Sequence, residues 1–377
     1  MAITFNPFII RGYRSEEYFC DRQSETDTLL ENIRNQVDTT LYSPRKYGKT
    51  GLIFHTLKKA EAEGYTTLYA DVFSTLNLNE FINQLSEAIL RTFPLKTPAG
   101  KRFMEILKGL RPVFSFDSLT GSPQISFDFN TEKEQESTLK SLFRFLEDQH
   151  QKTVVAIDEF QQIADYPEKN VEALLRTEMQ RMGNTVFLFS GSRRRVLSQM
   201  FNDTNRPFYS STQTLSLDKI REDRYDAFIK RIFKEGKVSI EDDAVQFILT
   251  WTRRHTFYTQ YLCNRLWGQK KKHIALPDVK RAASEILELE ESNFLHYRDL
   301  LTTQQWRLLI GIAKEERVGQ LTSNAFISKY KIGSTTTSAR AAETLVEKEL
   351  VLKTLTKDGA YYEVYNPFFS RWLENAY

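Results

Sequence analysis

The segment around Gly48-Lys49-Thr50 restricts the possible folds of this chain more than any other. A strand candidate, Thr39–Tyr42, precedes it, and helical spacing of apolar residues runs from residue 49 to about residue 63. A strand that turns directly into a helix brings backbone N–H groups and the positive end of the helix dipole to one point, which favours an anion there. Gly48 would let the backbone approach that anion closely. The segment therefore predicts a phosphate-binding loop in an α/β fold.

The side chains of this loop indicate which phosphate ligand it would hold. Lys49 is placed to reach the β- and γ-phosphate oxygens, and the Thr50 hydroxyl is placed to ligate Mg²⁺. We therefore expect ATP and Mg²⁺ as ligands. Ser43 replaces the first glycine of the general pattern, so a lysine-rich helix start with a chance match is the alternative. The residues expected around the nucleotide are Ser43, Pro44, Arg45, Lys46, Tyr47, Gly48, Lys49, Thr50 and Gly51.

A second acidic site follows a continuous apolar strand candidate at residues 153–157, which reads Thr-Val-Val-Ala-Ile. Parallel strands deliver their C-terminal residues to the ligand-binding edge of a sheet. Asp158 would hold the magnesium shell, and Glu159 would polarise the attacking water as general base. The alternative is a buried strand followed by a solvated acidic turn. The phosphate loop upstream in the same α/β pattern favours the catalytic interpretation.

The next buried strand candidate, residues 185–189, is followed by Ser190 and Ser192. Either hydroxyl could contact the γ-phosphate or the attacking water, which makes both catalytic candidates. A plain strand-to-loop turn containing serine and glycine explains the same residues equally well.

Several arginines could stabilise the transferred phosphoryl group, either in this chain or in a neighbouring subunit. A solvated basic turn is the more frequent meaning of such a run. The candidates for such an arginine finger, presented to the γ-phosphate of a neighbouring subunit, are Arg193, Arg194, Arg195 and Arg206. Weaker candidates, from the helical region that follows the sheet, are Arg253 and Arg254.

The alternation of strands and helices divides the chain into three parts. Residues 1–216 predict a parallel sheet covered by helices on both faces, interrupted at about 111–129 by an aromatic β-hairpin with its turn at 120–122. Residues 217–295 predict helices only. Residues 296–377 show the order helix, helix, helix, hairpin, which is typical of a winged helix.

These features together resemble the archaeal-type ATPase family of the AAA+/STAND P-loop NTPases. The resemblance implies an α/β ATPase core of the ASCE class, a helical lid (217–295) and a winged-helix domain (296–377). It also implies that Arg22 lies near the adenine. The lid box of the family is altered here, because residues 254–260 lack its glycine and proline. The motifs that carry the resemblance are Asn6-Pro7-Phe8, residues 19–23, the loop at 43–50, Ser-Gly-Ser at 190–192, Pro-Phe-Tyr at 207–209 and the closing box at 365–372.

Composition limits the partners and the compartment only weakly. The net charge is +3, and residues 300–377 hold 10 Lys and Arg against 8 Asp and Glu, which is not a strongly basic footprint. A winged helix nevertheless makes DNA a candidate partner, through a second helix at about 333–349, and a protein partner is the alternative.

Two distant cysteines, and the lack of a signal peptide or a long apolar stretch, predict a cytoplasmic protein without a membrane span. The sequence is also compatible with an oligomer.

Two functions from different classes fit these residues. The first is a working ATPase that acts as a nucleotide-driven switch on DNA or a protein partner. The second is a binding module whose conformation ATP holds, with negligible turnover. Turnover that depends on Glu159 separates them.

Overall fold

A computed structural model describes residues 5–110, 112–116, 123–127, 129, 131–357 and 359–377. Two compact units emerge, and each is described by itself. One comprises Gly12–Asp218, and the other comprises Lys219–Tyr377 with the N-terminal segment up to Arg11. The division of the second unit into a lid and a winged-helix domain at residue 295 remains a prediction.

The first unit alternates helices and strands as the sequence predicts. Its elements are α1 (Gln23–Arg34), β1 (Thr39–Tyr42), α2 (Lys49–Ala62), β2 (Thr66–Asp71), α3 (Leu78–Thr92), α4 (Pro98–Lys108), β3 (Pro112–Phe116), β4 (Pro123–Phe127), α5 (Glu132–Glu147), β5 (Thr153–Asp158), α6 (Val171–Met179), β6 (Thr185–Gly191), α7 (Arg194–Asn202) and β7 (Gln213–Ser216), with 3₁₀ turns at Glu16–Tyr18 and Phe160–Asp165.

Five parallel strands form the central sheet in the order β2-β5-β6-β1-β7. Strand β6 lies between β1 and β5, so one strand separates the phosphate-loop strand from the acidic strand. Leu41 pairs in register with Ser190, and Asp71 pairs with Asp158. The C-terminal ends of β1, β2, β5 and β6 therefore meet at one edge, where their polar residues converge.

Strand β5 shows why the sheet is buried on both faces. All six of its residues are buried. Val155 and Ile157 belong to the large apolar core on one face, whereas Val154 and Ala156 belong to the smaller core against α1 and α2 on the other. Successive strand residues point to opposite faces, so a strand covered by helices on both sides must be apolar throughout.

The predicted hairpin insertion is present as the antiparallel pair β3–β4, and its predicted turn at 120–122 lies outside the described residues. The pair is tied to α3 by side-chain amides. Asn79 donates to the Phe127 carbonyl at 3.2 Å, and the Phe127 N–H donates to Asn83 at 3.2 Å. The inward Phe127 side chain is buried in the large core.

The second unit is mainly helical. Its elements are α8 (Glu222–Glu235), β8 (Ser239–Ile240), α9 (Asp242–Trp251), α10 (Thr256–Gly268), β9 (His273–Ile274), α11 (Leu276–Asp299), α12 (Thr303–Lys314), α13 (Asn324–Tyr330), α14 (Thr335–Glu347), β10 (Val351–Thr356), β11 (Gly359–Val364) and α15 (Pro367–Ala376). The order from α12 to β11 is the predicted winged-helix order.

Some elements were not predicted, and their signals are local. Helix α4 begins at a Thr97 cap followed by proline, and α15 begins at an Asn366 cap followed by proline, both strong helix-start signals. Helix α7 starts at Arg194, so the predicted basic turn is mostly helical. Helix α11 continues to Asp299, because no glycine or proline interrupts it after its first turn.

The N-terminal Asn6-Pro7-Phe8 segment belongs to the second unit. Asn6 donates to the Asn264 carbonyl, Asn264 donates back to the Phe8 carbonyl, and both bonds are 2.8 Å. The Phe8 ring is buried, and its centroid lies 4.8 Å from that of Phe233. The segment is thus fastened to α8 and α10 by a reciprocal amide pair and an aromatic contact.

Arg253 links α9 to the C-terminal helix α15. It donates to Ser370 at 2.9 Å and pairs with Glu374 at 3.1 Å. Arg371 of α15 in turn donates to the Trp251 carbonyl at 3.3 Å. Arg253 therefore serves this internal contact. Its candidacy as a lid arginine, like that of Arg254, stays a prediction.

Candidate functional site

The loop between β1 and α2 is shaped by two left-handed residues. Gly48 has φ +93° and Lys46 has φ +61°. A left-handed conformation costs a non-glycine residue about 1–2 kcal/mol, so glycine is favoured at residue 48, directly before the helix. The Tyr47 side chain is buried in the core beneath α2 and anchors the loop. The chain thus enters α2 with its first N–H groups free of helical partners, as an anion site requires.

The first residues of α2 contact the acidic end of β5. Lys49 Nζ lies 3.0 Å from Glu159 Oε1 and 3.6 Å from Asp158 Oδ1. The Thr50 hydroxyl donates to Asp158 Oδ2 at 2.8 Å. Lys49 is only 7% exposed, so its charge acts where water screens it little. Four of the six residues predicted as catalytic or metal-binding therefore lie together.

Both serines after β6 reach the same carboxylates. Ser190, fully buried, donates its hydroxyl to Asp158 Oδ1. Ser192 donates its hydroxyl to Glu159 Oε2 at 2.9 Å, and its backbone N–H donates to the same oxygen at 3.3 Å. These serines therefore contact the carboxylates that would hold metal and water.

Two further residues belong to this site and were missed from sequence. The Tyr69 hydroxyl on β2 donates to Asp158 Oδ2 at 3.1 Å. The Gln161 amide donates to Glu159 Oε2 at 2.5 Å, and Gln161 is buried. Gln161 follows Glu159 by two residues, so its proximity was a usable signal. Tyr69 lies on a neighbouring strand and depends on sheet register.

Opposing effects set the charge of the two carboxyl groups. Burial raises the pKa of Asp158, but the Lys49 charge and hydrogen bonds from Ser190, Thr50 and Tyr69 outweigh burial and hold that pKa below its ordinary value. Burial likewise raises the pKa of Glu159, but Lys49 and the Gln161 amide bring it below its ordinary value. Both groups are therefore ionised at neutral pH, as a metal ligand and a base must be.

The remaining predicted residues of the loop have varied surroundings. Ser43 is buried, and its hydroxyl donates to the Pro44 carbonyl at 3.0 Å. Arg45 is exposed, with its guanidinium 5.6 Å from the centroid of the Phe73 ring. A Cβ on Gly51 would lie 3.3 Å from Phe19. Gly51 therefore provides room for that ring.

Arg22 lies beside the loop rather than out in solvent. It is buried, pairs with Glu25 at 2.7 Å, and directs its other terminal nitrogen at the Tyr47 carbonyl at 3.5 Å. Its backbone has φ +69°. The contact gives Arg22 a position from which to support the loop. Its predicted role near the adenine remains a prediction.

Two of the four finger candidates already have ionic partners. Arg193 pairs with Asp165 at 2.5 Å, and Arg206 pairs with Glu172. Arg194 lies with its guanidinium 5.9 Å from the Tyr42 ring centroid. Arg195 is exposed and has no ion pair among the described residues.

A sequence profile for an ATPase domain predominantly from Archaea matches residues 19–254, which is more than half of the chain. The chain belongs to this family. It is a nucleotide-binding P-loop ATPase with a winged-helix domain, since a profile for a probable winged helix domain matches residues 292–375. No curated protein matches the chain.

Solved structures of this archaeal-type ATPase's fold cover almost its whole length. A Walker-type ATPase of Pyrococcus abyssi is 18% identical with a TM-score of 0.69, covering 97% of this chain and 99% of that one. The Aeropyrum pernix ORC2 protein, solved as ADPNP and ADP complexes, is 17% identical with a TM-score of 0.60, covering 98% and 96%. At these identities the likeness concerns the fold. Within the described residues, no helix has the length and apolar character needed to cross a bilayer.

Close packing at the end of β6 fixes the Gln161 side chain. A Cβ built on Gly191 would overlap both Gln161 and Leu197. We expect Gly191→Ala to lower the free energy of unfolding by about 1–3 kcal/mol, because overpacking displaces buried side chains. Chemical denaturation measures this. Gly183→Ala is the matched control, since its Cβ would meet only Glu147 at 3.8 Å. Equal stabilities of the two variants would contradict the packing argument.

Proposed function

We propose that this ATPase hydrolyses ATP at the carboxyl edge of its sheet and uses the reaction as a nucleotide-driven switch on DNA or a protein partner. One observation carries the proposal. The side chains of Lys49 and Thr50, at the start of α2, meet Asp158 and Glu159 at the end of β5. A buried cation, a hydroxyl and two ionised carboxylates at a helix N-terminus are the groups that phosphoryl transfer to water requires.

The residues present fit a magnesium–nucleotide complex. Asp158 and Thr50 offer a carboxylate and a hydroxyl oxygen within 2.8 Å of each other, and oxygen atoms are the ligands that Mg²⁺ prefers. Thr50 and Asp158 would hold the ion, which when bound supplies positive charge to the phosphate oxygens. Lys49 would exchange its carboxylate contacts for phosphate oxygens. The N–H groups of Gly48 to Gly51 would surround the phosphates.

Glu159 is the group we assign to water activation. Its ionised carboxylate accepts from Gln161 and Ser192 through Oε2, while Oε1 faces Lys49. When Lys49 turns to phosphate, Oε1 becomes available to accept a proton from water. Gln161 and Ser192 then hold the carboxylate in place. Ser190 keeps Asp158 aligned with Thr50.

The same contacts support a second candidate, an ATP-held binding module with negligible turnover. Glu159 is bound by three side chains at once, and a base held this way is inactive until Lys49 leaves it. The altered lid box at residues 254–260 is consistent with this candidate as well. Turnover of the wild-type protein distinguishes the two.

We propose that the partner of the winged helix is either DNA or a protein. Helix α14, the candidate reading helix, exposes Thr335, Thr336 and Arg340. Ser338 of the same helix is buried and donates to the Leu321 carbonyl at 2.6 Å, so it does not belong to the exposed face. The same helix carries Glu343 and Glu347, which would repel phosphate.

Assembly and compartment also belong to the proposal. A finger in trans would require a second copy of the chain, and Arg195 suits it because its side chain is exposed. Both cysteines, Cys20 and Cys263, are buried thiols and are not joined in a disulfide. Cysteines in the thiol form support the proposed cytoplasmic location, where thiols stay reduced.

The decisive measurement is phosphate release by the purified full chain, with Mg²⁺ or with a chelator, and with or without duplex DNA. We expect turnover with Mg²⁺ and none with the chelator, since Asp158 and Thr50 would have no ion to hold. Stimulation by DNA, but not by polyglutamate of equal charge, supports DNA as the partner. ATP binding without phosphate release under any of these conditions would overturn hydrolysis and leave the binding module.

A further inference from the structure

A groove in the second unit is lined chiefly by lysine. It lies between the C-terminal end of α8 and the short parallel pair β8–β9, and it has a volume of about 490 Å³. The described residues that line it include no acidic side chain. Its lining consists of Lys230, Lys234, Lys237, Val238, Ser239, Ile240 and Lys272, and we call it the lysine groove.

One of the four lysines is neutralised and three are not. Lys230 pairs with Asp226 at 2.9 Å and with Asp242 at 2.7 Å. Lys234, Lys237 and Lys272 are exposed and have no ion pair among the described contacts. Three uncompensated positive charges therefore face one concave surface, where they attract an anion together.

Helix capping explains only part of this cluster. A cation near the C-terminal end of α8 interacts favourably with the helix dipole, which accounts for Lys234. Lys237 occupies a left-handed position, φ +58°, where glycine is favoured. Lys272 adjoins the other strand of the pair, and its carbonyl accepts from the Ser239 N–H at 3.0 Å. The pairing of β8 with β9 thus brings a third lysine to the groove from a separate segment.

We propose that the lysine groove binds the phosphate backbone of duplex DNA. Lysine is depleted in protein–protein interfaces, which are anchored by aromatic residues and arginine, whereas phosphate contacts use lysine commonly. No aromatic side chain lines the groove among the described residues, so it offers no platform for stacking unpaired bases. The chemistry that remains is sequence-independent attraction to phosphate, with Ser239 as a further hydroxyl donor.

This assignment accounts for the weak charge of α14. That helix carries one arginine and two glutamates, so it cannot supply the electrostatic part of DNA affinity. The lysine groove would supply phosphate contacts, and α14 would supply any base contacts. The inference concerns DNA affinity and does not depend on ATP turnover, because Lys49 and Glu159 lie in the other unit.

The test is fluorescence anisotropy of a labelled duplex with the full chain across a salt series from about 50 to about 200 mM. The test variant carries Lys234→Gln, Lys237→Gln and Lys272→Gln. We expect weaker binding to every sequence tried. The slope of the logarithm of the binding constant against the logarithm of the salt concentration should be shallower by about 2–3, since each phosphate contact contributes about 0.9 to that slope. A wild-type circular dichroism spectrum and thermal unfolding transition show that the variant is folded.

A matched control changes three exposed lysines of the first unit, Lys101, Lys133 and Lys169, to glutamine. These also lack ion pairs among the described contacts, so the net charge falls equally. Equal affinity and salt dependence in the two triple variants would overturn the proposal, as would a wild-type chain that binds no duplex at the lowest salt. Loss of polyglutamate binding in the groove variant, with DNA binding unchanged, would assign the surface to an acidic protein and also overturn it.

Discussion

Glu159→Gln is expected to reduce ATP turnover by about 10²–10⁴-fold while ATP binding persists, because a general base contributes that much to a proton-transfer step. The amide keeps the size of the carboxylate but cannot accept the proton of the attacking water. It also removes a negative charge 3.0 Å from Lys49, next to the place of the γ-phosphate. Affinity for ATP should therefore stay equal or rise. Single-turnover phosphate release and binding of a fluorescent ATP analogue measure the two effects separately.

Asp71→Asn is the matched control for Glu159→Gln. Asp71 ends strand β2 at the same sheet edge, in register with Asp158, and burial raises its pKa. It has no hydrogen bond to Lys49 or Thr50 among the described contacts, so only a general charge effect is expected from it. If the ATP hydrolysis rate of Glu159→Gln were within a few-fold of that of Asp71→Asn, the general base would have to be another group.

The architecture was accessible from sequence because its signals are local and strong. The loop at 43–50 and the acidic end of β5 fixed the positions of two strands, and the apolar residues of β5 indicated a strand buried on both faces. Since parallel strands end at one edge, Lys49 and Asp158 could be expected to lie close although they are far apart in the chain. The winged-helix order followed from three helical segments and a hairpin.

What escaped prediction depends on contacts across the sheet. Tyr69 is identified as part of the site only by the register that places Asp71 beside Asp158, and a β2 sequence alone does not set that register. The Gln161 side chain takes its place because Gly191, on another strand, leaves room for it. Arg253 was considered for the nucleotide, but the fold of the second unit delivers Ser370 and Glu374 to it. A distant segment decided each of these cases.

The Gln161 contact also shows why a motif and its activity are separate inferences. The sequence motif places an acid at residue 159. The carboxylate of that residue makes it a candidate for the general base. The structure adds that Lys49 holds one oxygen of this acid, and that Gln161 and Ser192 hold the other. The proposed base thereby contacts the same lysine that would bind phosphate, so nucleotide entry would also release the base.

Lys49→Ala is expected to weaken ATP binding by about 2–5 kcal/mol, or roughly 30- to 5000-fold, because truncating one partner of a buried charge pair costs that much. Two effects add in the same direction. The phosphate oxygens lose their closest cation, and Asp158 and Glu159 are left as buried carboxylates without their shared partner. Burial would then raise the pKa of both groups, since the Lys49 charge that opposes it is gone.

Lys58→Ala provides the comparison, because Lys58 is an exposed lysine of the same helix α2 that contacts the Tyr13 ring. Titration of a fluorescent ATP analogue should give the wild-type affinity for Lys58→Ala and a loss of at least about 30-fold for Lys49→Ala. If both lysine variants bound ATP as the wild type does, the nucleotide would lie away from the α2 N-terminus. The assignments of Thr50, Asp158 and Glu159 would then fall with that of Lys49, since all four share one set of contacts.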